Sequence, residues 1–344
     1  MVFDANMKAS RASQHEVQQA RDAPVLAVTN LSITFRSHAG PVRAVDDISF
    51  KLERGRTLGL VGESGCGKSV TAASLLGLAK PAQAGGSILF DGRELTGLDE
   101  DEWRPLRGAA ISMIFQEPMT SLNPVFTVGE QIAEVLRVHR GLSRREAAKQ
   151  AVEALRRVRI PAAEERAKEY PHRLSGGMRQ RVMIAMALAC EPRVLVADEP
   201  TTALDVTVQA QILALIDALR RRHGTAVLFI THDLGVIAEF ADDVAVMYLG
   251  NIVERATTSE LFASPQHPYT LGLLGSAPKL ERREERLTVI SGQIPVPTQR
   301  PPGCTFHQRC PFADTRCMQE APPHRPMGPA HWVSCWKAPI ELHT

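Results

Sequence analysis

The segment TLGLVGESGCGKSV constrains the fold of this chain more than any other stretch of its sequence. Its first residues form an apolar run that predicts a buried β-strand, and the residues after Ser69 show the pattern of a helix. Between them lies a glycine-rich loop in the strand-loop-helix context that a phosphate-binding loop requires. The loop consists of Gly62, Glu63, Ser64, Gly65, Cys66, Gly67, Lys68 and Ser69.

A loop of this kind binds the phosphates of a nucleotide. Glycines allow backbone N–H groups to point inward at the phosphates, and the following helix adds partial positive charge from its N-terminus. We expect Lys68 to contact the β- and γ-phosphates and the hydroxyl of Ser69 to ligate Mg²⁺. We assign no redox role to Cys66.

The remaining pattern predicts an α/β fold. The segments VLAVTNLSITF and VDDISFKLERG have the pattern of paired strands, and further strands are predicted in SILFDG, AAISMIFQ, RVLVADEP and AVLFITHD. Residues 127–170 are helical and charged, which indicates an inserted group of helices. These features together predict a mainly parallel α/β core with helices inserted into it.

Composition disfavours two classes of function. Forty Lys and Arg against 38 Asp and Glu leave a net charge of +2, without the basic excess of a nucleic-acid-binding protein. No apolar stretch approaches the roughly 20 residues that span a bilayer. Residues 1–24 lack the apolar segment of a secretory signal and are polar, so we expect a cytosolic protein with a disordered start.

Two carboxylates follow a second buried strand. The run RVLVAD ends in Asp198 and Glu199, at the carboxyl edge where open α/β sheets place their ligands. We expect Asp198 to hold Mg²⁺, mostly through water, and Glu199 to polarise the attacking water. His232, after the next strand, is placed to contact the γ-phosphate, and Gln116 is placed to reach Mg²⁺ or the water.

Residues 174–181, LSGGMRQR, form a second glycine-led helix start. Together with the phosphate loop and VADE, this segment resembles the signature of the nucleotide-binding subunits of ATP-binding cassette transporters. The resemblance implies that two subunits face each other head to tail, each signature closing on ATP held by the other's phosphate loop. The residues implied to contact the partner's ATP are Leu174, Ser175, Gly176, Gly177 and Asp205.

The resemblance also implies the fold and the domain boundaries. It implies a P-loop NTPase with a RecA-like core, an antiparallel β subdomain and an inserted helical subdomain over about residues 117–180. The ATPase domain would cover residues 25–263, and a small irregular domain rich in Cys and Pro would cover residues 264–344. Phe35 fits the aromatic residue that stacks on adenine, although a core Phe in a strand is an equal alternative. The catalytic set is complete, so a competent ATPase is expected.

The segments QEPMTSLNP, HPYTLGLL and GCTFHQRCPFADTRC resemble the branch that energises dipeptide and oligopeptide importers, and MRQR resembles its first type of ATPase subunit. This implies a heterodimer with a second ATPase subunit, two membrane permeases, an extracytoplasmic solute-binding protein and a place at the cytoplasmic face of the membrane. Nickel and glutathione importers share the branch, so the solute stays open. A non-transport ATPase of the superfamily is a further alternative, but its usual second cassette or long coiled-coil arms are not seen.

We expect the segment QEPMTSLNPVFTVGE and the helical insert to receive a short permease helix.

Four cysteines lie in the Pro-rich tail: Cys304, Cys310, Cys317 and Cys335. Disulfides are disfavoured in a protein expected to be cytosolic. Structural zinc sites favour close C-x₂₋₄-C pairs, which this spacing lacks, and the spacing also matches no ferredoxin pattern. The resemblance implies a [4Fe–4S] cluster, because relatives in the importer branch carry one in this tail. We therefore expect an iron–sulfur cluster that staples the tail, with zinc or no metal as the alternatives.

Overall fold

The structure is a computed structural model and describes residues 23–37, 40–80, 82–116, 121–201, 205–276 and 290–340. The disordered start predicted over residues 1–24 lies outside these ranges except for its last two residues. Within the described ranges, no helix is both long enough and apolar enough to cross a membrane.

The strands fall into two sheets. Their bounds are β1 Leu26–Ser37, β2 Gly40–Leu52, β3 Thr57–Val61, β4 Ala82–Phe90, β5 Arg93–Glu94, β6 Ile111–Ile114, β7 Val194–Asp198, β8 Ala226–Thr231, β9 Asp243–Tyr248, β10 Asn251–Thr257, β11 Arg325–Pro326 and β12 Trp332–Val333. One sheet has the order β2-β1-β4-β5 and is antiparallel. The other has the order β11-β12-β10-β9-β3-β8-β7-β6, in which β9, β3, β8, β7 and β6 run parallel. The predicted α/β fold with paired β1 and β2 is confirmed.

The helices lie between and around these strands. Their bounds are α1 Lys68–Ser74, α2 Glu100–Trp103, α3 Val128–Arg140, α4 Arg144–Arg157, α5 Ala163–Arg166, α6 Gly176–Leu188, α7 Val206–His223, α8 Leu234–Phe240, α9 Thr258–Ala263, α10 Pro268–Ser276 and α11 Thr315–Gln319. Short 3₁₀ turns occupy Pro171–Arg173, Pro297–Gln299 and His307–Arg309.

The inserted helices begin at strong local signals. Thr127 caps α3 and Ser143 caps α4, and each forms a reciprocal capping box with the glutamate three residues later. Gly141 ends α3 with a left-handed φ of 64°, which a glycine adopts without steric cost. The result is a helical hairpin at the place where the sequence predicts the insert.

The parallel sheet is buried on both faces. Every residue of β7 is buried, and successive side chains alternate between two apolar cores. Leu195 and Phe229 face the core shared with the inserted helices. Val196 and Leu228 face the core shared with the antiparallel sheet. This double burial explains why β3, β7 and β8 are continuous apolar runs in the sequence.

The C-terminal region, or tail, comprises the described residues 264–276 and 290–340 and joins the edge of the parallel sheet. Strand β12 pairs antiparallel with β10, with Val333 opposite Glu254. The sequence suggests a separate appendage here, but the two-residue strands β11 and β12 extend the sheet that contains the parallel strands. Phe306 is buried and packs edge-on against Tyr248, with ring centroids 5.1 Å apart, so the tail also contributes to the main core.

Glu254 connects this region to the core from within the sheet. Its carboxylate is fully buried and accepts hydrogen bonds from the backbone N–H groups of Gln266 and His267 at 2.6 and 2.9 Å. The imidazole Nε2 of His331 lies 2.7 Å from the same carboxylate. A buried carboxylate needs such partners, and here they come from both ends of the C-terminal region.

Candidate functional site

The phosphate loop connects β3 to α1, as the sequence predicts. Gly67 has a φ of 111°, and a Cβ at this position would lie 2.5 Å from the carbonyl oxygen of Ala44. Only glycine fits such a conformation and such a close approach. The ammonium group of Lys68 is buried and donates hydrogen bonds to the carbonyl oxygens of Gly62 at 2.6 Å and Glu63 at 3.0 Å. The loop therefore curls around the charge that is predicted to bind phosphate.

Asp198 ends β7 beside this loop. Its side chain is 3% exposed, and burial raises its pKa, an effect that the neighbouring hydroxyl of Ser69 opposes in part. Its Oδ1 atom is buried and has no hydrogen-bond partner within the described part of the chain. An unpartnered carboxylate oxygen next to a hydroxyl is a donor set that Mg²⁺ prefers. These two residues therefore fit the predicted magnesium ion.

Three predicted catalytic residues meet next to Asp198. Gln116 donates a hydrogen bond from Nε2 to Oε2 of Glu199 at 3.2 Å, and Nδ1 of His232 lies 3.3 Å from Oε1 of Glu199. Glu199 has a φ of 47°, which is costly for a non-glycine residue, and its N–H donates to the carbonyl of Ile230 at 2.9 Å. Backbone strain of this kind is concentrated at functional sites. Each oxygen of the Glu199 carboxylate therefore has a contact that fixes the orientation of the side chain.

The LSGG segment begins α6. Ser175 caps the helix and accepts a hydrogen bond from the N–H of Met178 at 3.3 Å. A Cβ on Gly176 would meet nothing within 4 Å, so the chain leaves open space above this position. Further along α6, Gln180 donates to the carbonyl of Pro200 at 2.5 Å, which connects this helix to the residue after Glu199. Gln180 belongs to the MRQR motif, but this contact was not predicted from the sequence.

The remaining predicted nucleotide residues have clear local positions. Asp205 caps α7 and accepts a hydrogen bond from the N–H of Val208 at 3.0 Å. The two residues before Asp205 lie outside the described ranges. Phe35 lies near the end of β1 and is partly buried against the core of the antiparallel sheet. Stacking of Phe35 on adenine stays a prediction.

The C-terminal region makes a contact with the phosphate loop that was not predicted from the sequence. Arg309 forms two hydrogen bonds with the carboxylate of Glu63, and this carboxylate raises the pKa of the guanidinium. The hydroxyl of Tyr269 accepts a hydrogen bond from the N–H of Glu63 at 2.8 Å. The signals were the motifs HPYTLGLL, which contains Tyr269, and GCTFHQRCPFADTRC, which contains Arg309, but both only indicated the importer branch.

The four tail cysteines lie within electrostatic range of one another. Cys304 donates from its backbone N–H to the carbonyl of Cys317 at 2.8 Å. Burial raises the pKa of Cys304 to about 11, and the thiols of Cys310, Cys317 and Cys335 contribute to the rise. None of these residues forms a disulfide. Among the residues that the structure describes, no group of three or more His, Cys, Asp or Glu side chains is arranged to hold a metal ion.

Comparison with known proteins identifies two families in the chain. Residues 45–202 match the ABC transporter family, and residues 253–317 match the C-terminal region of oligopeptide/dipeptide transporters. The second match begins within β10, before the domain boundary predicted at residue 264. This placement agrees with the pairing between β10 and the tail.

Curated relatives cover nearly the whole chain. It is 51% identical over 315 residues to the dipeptide transport ATP-binding protein DppD of Bacillus subtilis, covering 91% of this chain and 94% of the relative. It is 50% identical over 319 residues to the oligopeptide transport ATP-binding protein OppD of Salmonella typhimurium, covering 92% of this chain and 95% of the relative.

A solved structure supports the same assignment. The dimeric ATP-binding cassette MJ0796, bound to ADP and Pi in a post-hydrolysis state, is similar with a TM-score of 0.62 and 30% sequence identity. The match covers 68% of this chain and 98% of the cassette. Because the fold, the nucleotide site and the long matches agree, the chain belongs to the ATP-hydrolysing subunits of ABC transporters and carries the C-terminal region of the oligopeptide/dipeptide branch.

Proposed function

We propose that this chain hydrolyses ATP to power the import of dipeptides or oligopeptides through a membrane permease complex. The observation that carries the proposal is the meeting of Gln116, Glu199 and His232 beside the phosphate loop. The substrate class is supported by relatives that are named for dipeptide and oligopeptide transport. Nickel or glutathione as the solute remains the alternative.

Different side chains of the site bind phosphate, bind Mg²⁺ and activate water during hydrolysis. Lys68 neutralises charge on the β- and γ-phosphates, and the loop glycines let backbone N–H groups approach them. Bound at Ser69 and Asp198, Mg²⁺ would supply further neutralisation of phosphate charge. Glu199 accepts the proton of the attacking water. Gln116 and His232 hold its two carboxylate oxygens, so the base is oriented before the water arrives.

We propose that the second half of each ATP site comes from a partner subunit. The open space above Gly176 supports this, because a γ-phosphate can approach a helix start closely only where no side chain intervenes. Ser175, Gly177 and Asp205 would line the same contact. Leu174 would not, because its side chain is buried in the core shared with the inserted helices. The similar cassette MJ0796 is a dimer. Our proposal for this chain is a heterodimer with a second type of ATPase subunit.

A cavity of about 600 Å³ on the inserted helices is the proposed docking site for a permease helix. Its lining includes Phe126, which precedes α3, Glu130 and Arg137 from α3, and Val152 from α4. Phe126 and its neighbour Val125 are exposed, as expected of apolar side chains that form part of a protein–protein interface. Docking here would place the chain at the cytoplasmic face of the membrane. Residues 117–120 of the predicted docking loop lie outside the described ranges.

For the tail, we propose a structural [4Fe–4S] cluster on Cys304, Cys310, Cys317 and Cys335, with zinc as the alternative metal. The supports are four cysteines that form no disulfide and a backbone hydrogen bond that joins Cys304 to Cys317 at 2.8 Å. Beyond the contacts with the main core, the outer part of the tail has only a small apolar core of Val333, Cys335 and Ala338 among the described residues, which a metal would reinforce. The side chains do not form a ready-made metal site within the described residues. Anaerobically purified protein should contain four irons per chain, and Cys317→Ser should lose them while Cys190→Ser keeps them. Colourless protein with stoichiometric zinc would select the alternative, and metal-free protein would exclude both.

Reconstitution of the intact complex tests the transport proposal. The chain should co-purify with two permeases and a second ATPase subunit, and proteoliposomes that contain the complex should take up labelled oligopeptides only with ATP and the solute-binding protein. The variant Glu199→Gln should assemble normally and abolish uptake. Association with ribosomes in place of permeases would contradict the proposal, and uptake of nickel or glutathione without peptide would correct the substrate class.

A further inference from the structure

The C-terminal region reaches the ATP site through one buried arginine. Arg309 donates hydrogen bonds from Nη1 and Nη2 to the two carboxylate oxygens of Glu63 at 2.7 and 3.0 Å. Its side chain is 4% exposed, and its guanidinium carbon lies 5.8 Å from the ring centre of Tyr248 and 6.0 Å from that of Phe306. A paired, two-point contact of this type fixes direction as well as distance.

A second residue of the C-terminal region, Tyr269, contacts the backbone of Glu63. The hydroxyl of Tyr269 accepts a hydrogen bond from the N–H of Glu63 at 2.8 Å. The ring of Tyr269 is fully buried between Tyr248 and Phe306, with centroid distances of 4.7 and 5.3 Å. Rigid packing of the ring leaves the hydroxyl little freedom, so the orientation of the peptide group before Glu63 is fixed.

The backbone carbonyl of Glu63 contacts Lys68, the residue predicted to bind phosphate. The carbonyl oxygen accepts a hydrogen bond from Nζ of Lys68 at 3.0 Å. The carboxylate, the N–H and the carbonyl of this one residue are therefore all engaged, the first two by the C-terminal region and the third by Lys68. Movement of Arg309 or Tyr269 would be transmitted to the ammonium group through a single residue.

We propose that Arg309 and Tyr269 are positioning residues of the ATP site, so that the C-terminal region sets the affinity of the phosphate loop for ATP. The proposal rests on the assignment of Lys68 to phosphate binding, as set out under Proposed function. Arg309 and Tyr269 act through Glu63 and take no part in proton transfer, which belongs to Glu199. The expected effect is therefore on ATP binding, with the chemical step preserved.

Other contacts already attach the C-terminal region to the core. Glu254 binds His331 and the backbone at His267, and Arg300 pairs with Asp46 of β2 at 2.9 Å. Docking of the region therefore does not depend on the Arg309 contact. Arg300 offers a matched control, because it is a partly buried arginine of the same region that crosses to the core without touching the phosphate loop.

Nucleotide affinity of the full-length chain tests the proposal. Tyr269→Phe keeps the buried ring and removes the hydroxyl, and Arg309→Lys keeps the charge and removes the paired geometry. Each should weaken binding of a fluorescent ATP analogue by about threefold to tenfold, the range for one net hydrogen bond, and Arg309→Ala should weaken it at least as much. In the assembled complex KM for ATP should rise by a similar factor, with kcat within about twofold. Arg300→Ala should leave the affinity unchanged.

Coupling to Glu63 distinguishes positioning from general stabilisation. Glu63→Ala should weaken ATP binding as Arg309→Ala does, and the double variant should be no weaker than either single variant, because both remove the same side-chain contact. If Arg309→Ala fails to fold, Tyr269→Phe and Glu63→Ala still decide the matter. Unchanged affinity in those variants, or an equal loss in Arg300→Ala, would overturn the proposal. Lys68→Ala distinguishes failure of the nucleotide-site assignment from failure of this inference. If Lys68→Ala binds ATP normally, the nucleotide-site assignment is wrong. If Lys68→Ala loses binding but the Arg309, Tyr269 and Glu63 variants do not, only this inference is wrong.

Discussion

His232 places Nδ1 3.3 Å from Oε1 of Glu199, although 33 positions separate the two residues in the chain. Each follows one of two neighbouring parallel strands, β8 and β7, so the sheet itself brings them together. The imidazole and the amide of Gln116 hold the two oxygens of the carboxylate. A general base fixed in this way is oriented at low entropic cost when water binds.

Removal of the ammonium group of Lys68 should abolish tight ATP binding. Lys68→Ala loses a charged donor to the phosphates, and hydrogen bonds to charged groups contribute enough that affinity should fall by at least about 10- to 100-fold. Isothermal titration of the full chain with ATP and Mg²⁺ measures this loss. Lys80→Ala is the matched control, since Lys80 is 61% exposed and pairs with Glu100. An equal loss in both variants would contradict the role of Lys68.

A carboxylate in the LSGG segment should prevent closure of the dimer. Gly177→Asp would place a negative charge where the partner's γ-phosphate must lie, and repulsion at close range weakens such a contact by more than about 100-fold. Binding of ATP to the chain's own phosphate loop should persist. Size-exclusion chromatography with the partner subunit, in a Glu199→Gln background, should show no ATP-dependent dimer. A dimer of normal stability would show that this segment does not face the partner's nucleotide.

Burial lowers the pKa of His267 to about 4, and Glu254 opposes the shift in part. The neutral ring is also favoured because its Nδ1 accepts a hydrogen bond from the N–H of Tyr269 at 3.1 Å. In the unfolded chain the pKa of His is about 6.5, so the unfolded state binds the proton more tightly. The stability that depends on neutral His267 is therefore present above about pH 6.5 and is lost as the pH falls towards 4.

Urea unfolding at pH 7 and pH 4.5 measures this effect. His267 should account for about 2 to 3 kcal/mol of the loss in the free energy of unfolding between these values. His267→Asn removes the titrating group and retains an acceptor for the N–H of Tyr269, so its loss should be smaller by that amount. The other ionisable groups are common to both proteins, so the comparison isolates the contribution of His267. Equal losses in the two proteins would contradict the assignment.

The sequence predicts the parts of the site that depend on local pattern. The buried runs of β3, β7 and β8 mark the parallel strands. Lys68 begins the helix that follows β3, and Asp198 and His232 lie at the ends of β7 and β8. Capping residues mark the inserted helices. These features are readable because a strand buried on both faces and a capped helix both leave a continuous signal over several residues.

Contacts between distant segments were not predictable in the same way. Arg309 and Glu63 are 246 positions apart, and neither lies in a repeating pattern that would indicate the other. The strands β11 and β12 have two residues each, too few for a period of two to be recognised. The attachment of the tail to β10 and to the phosphate loop therefore became visible only in the folded chain.

Hydrolysis by Glu199→Gln tests the central claim most directly. In the assembled complex, this variant should bind ATP with an affinity close to that of the unmodified protein, because Gln keeps the size and hydrogen-bonding capacity of the side chain. Single-turnover hydrolysis should slow by about 10²- to 10⁴-fold, the range for loss of a general base. Normal binding with greatly slowed hydrolysis is the result that the account predicts. Hydrolysis at the unmodified rate would contradict it.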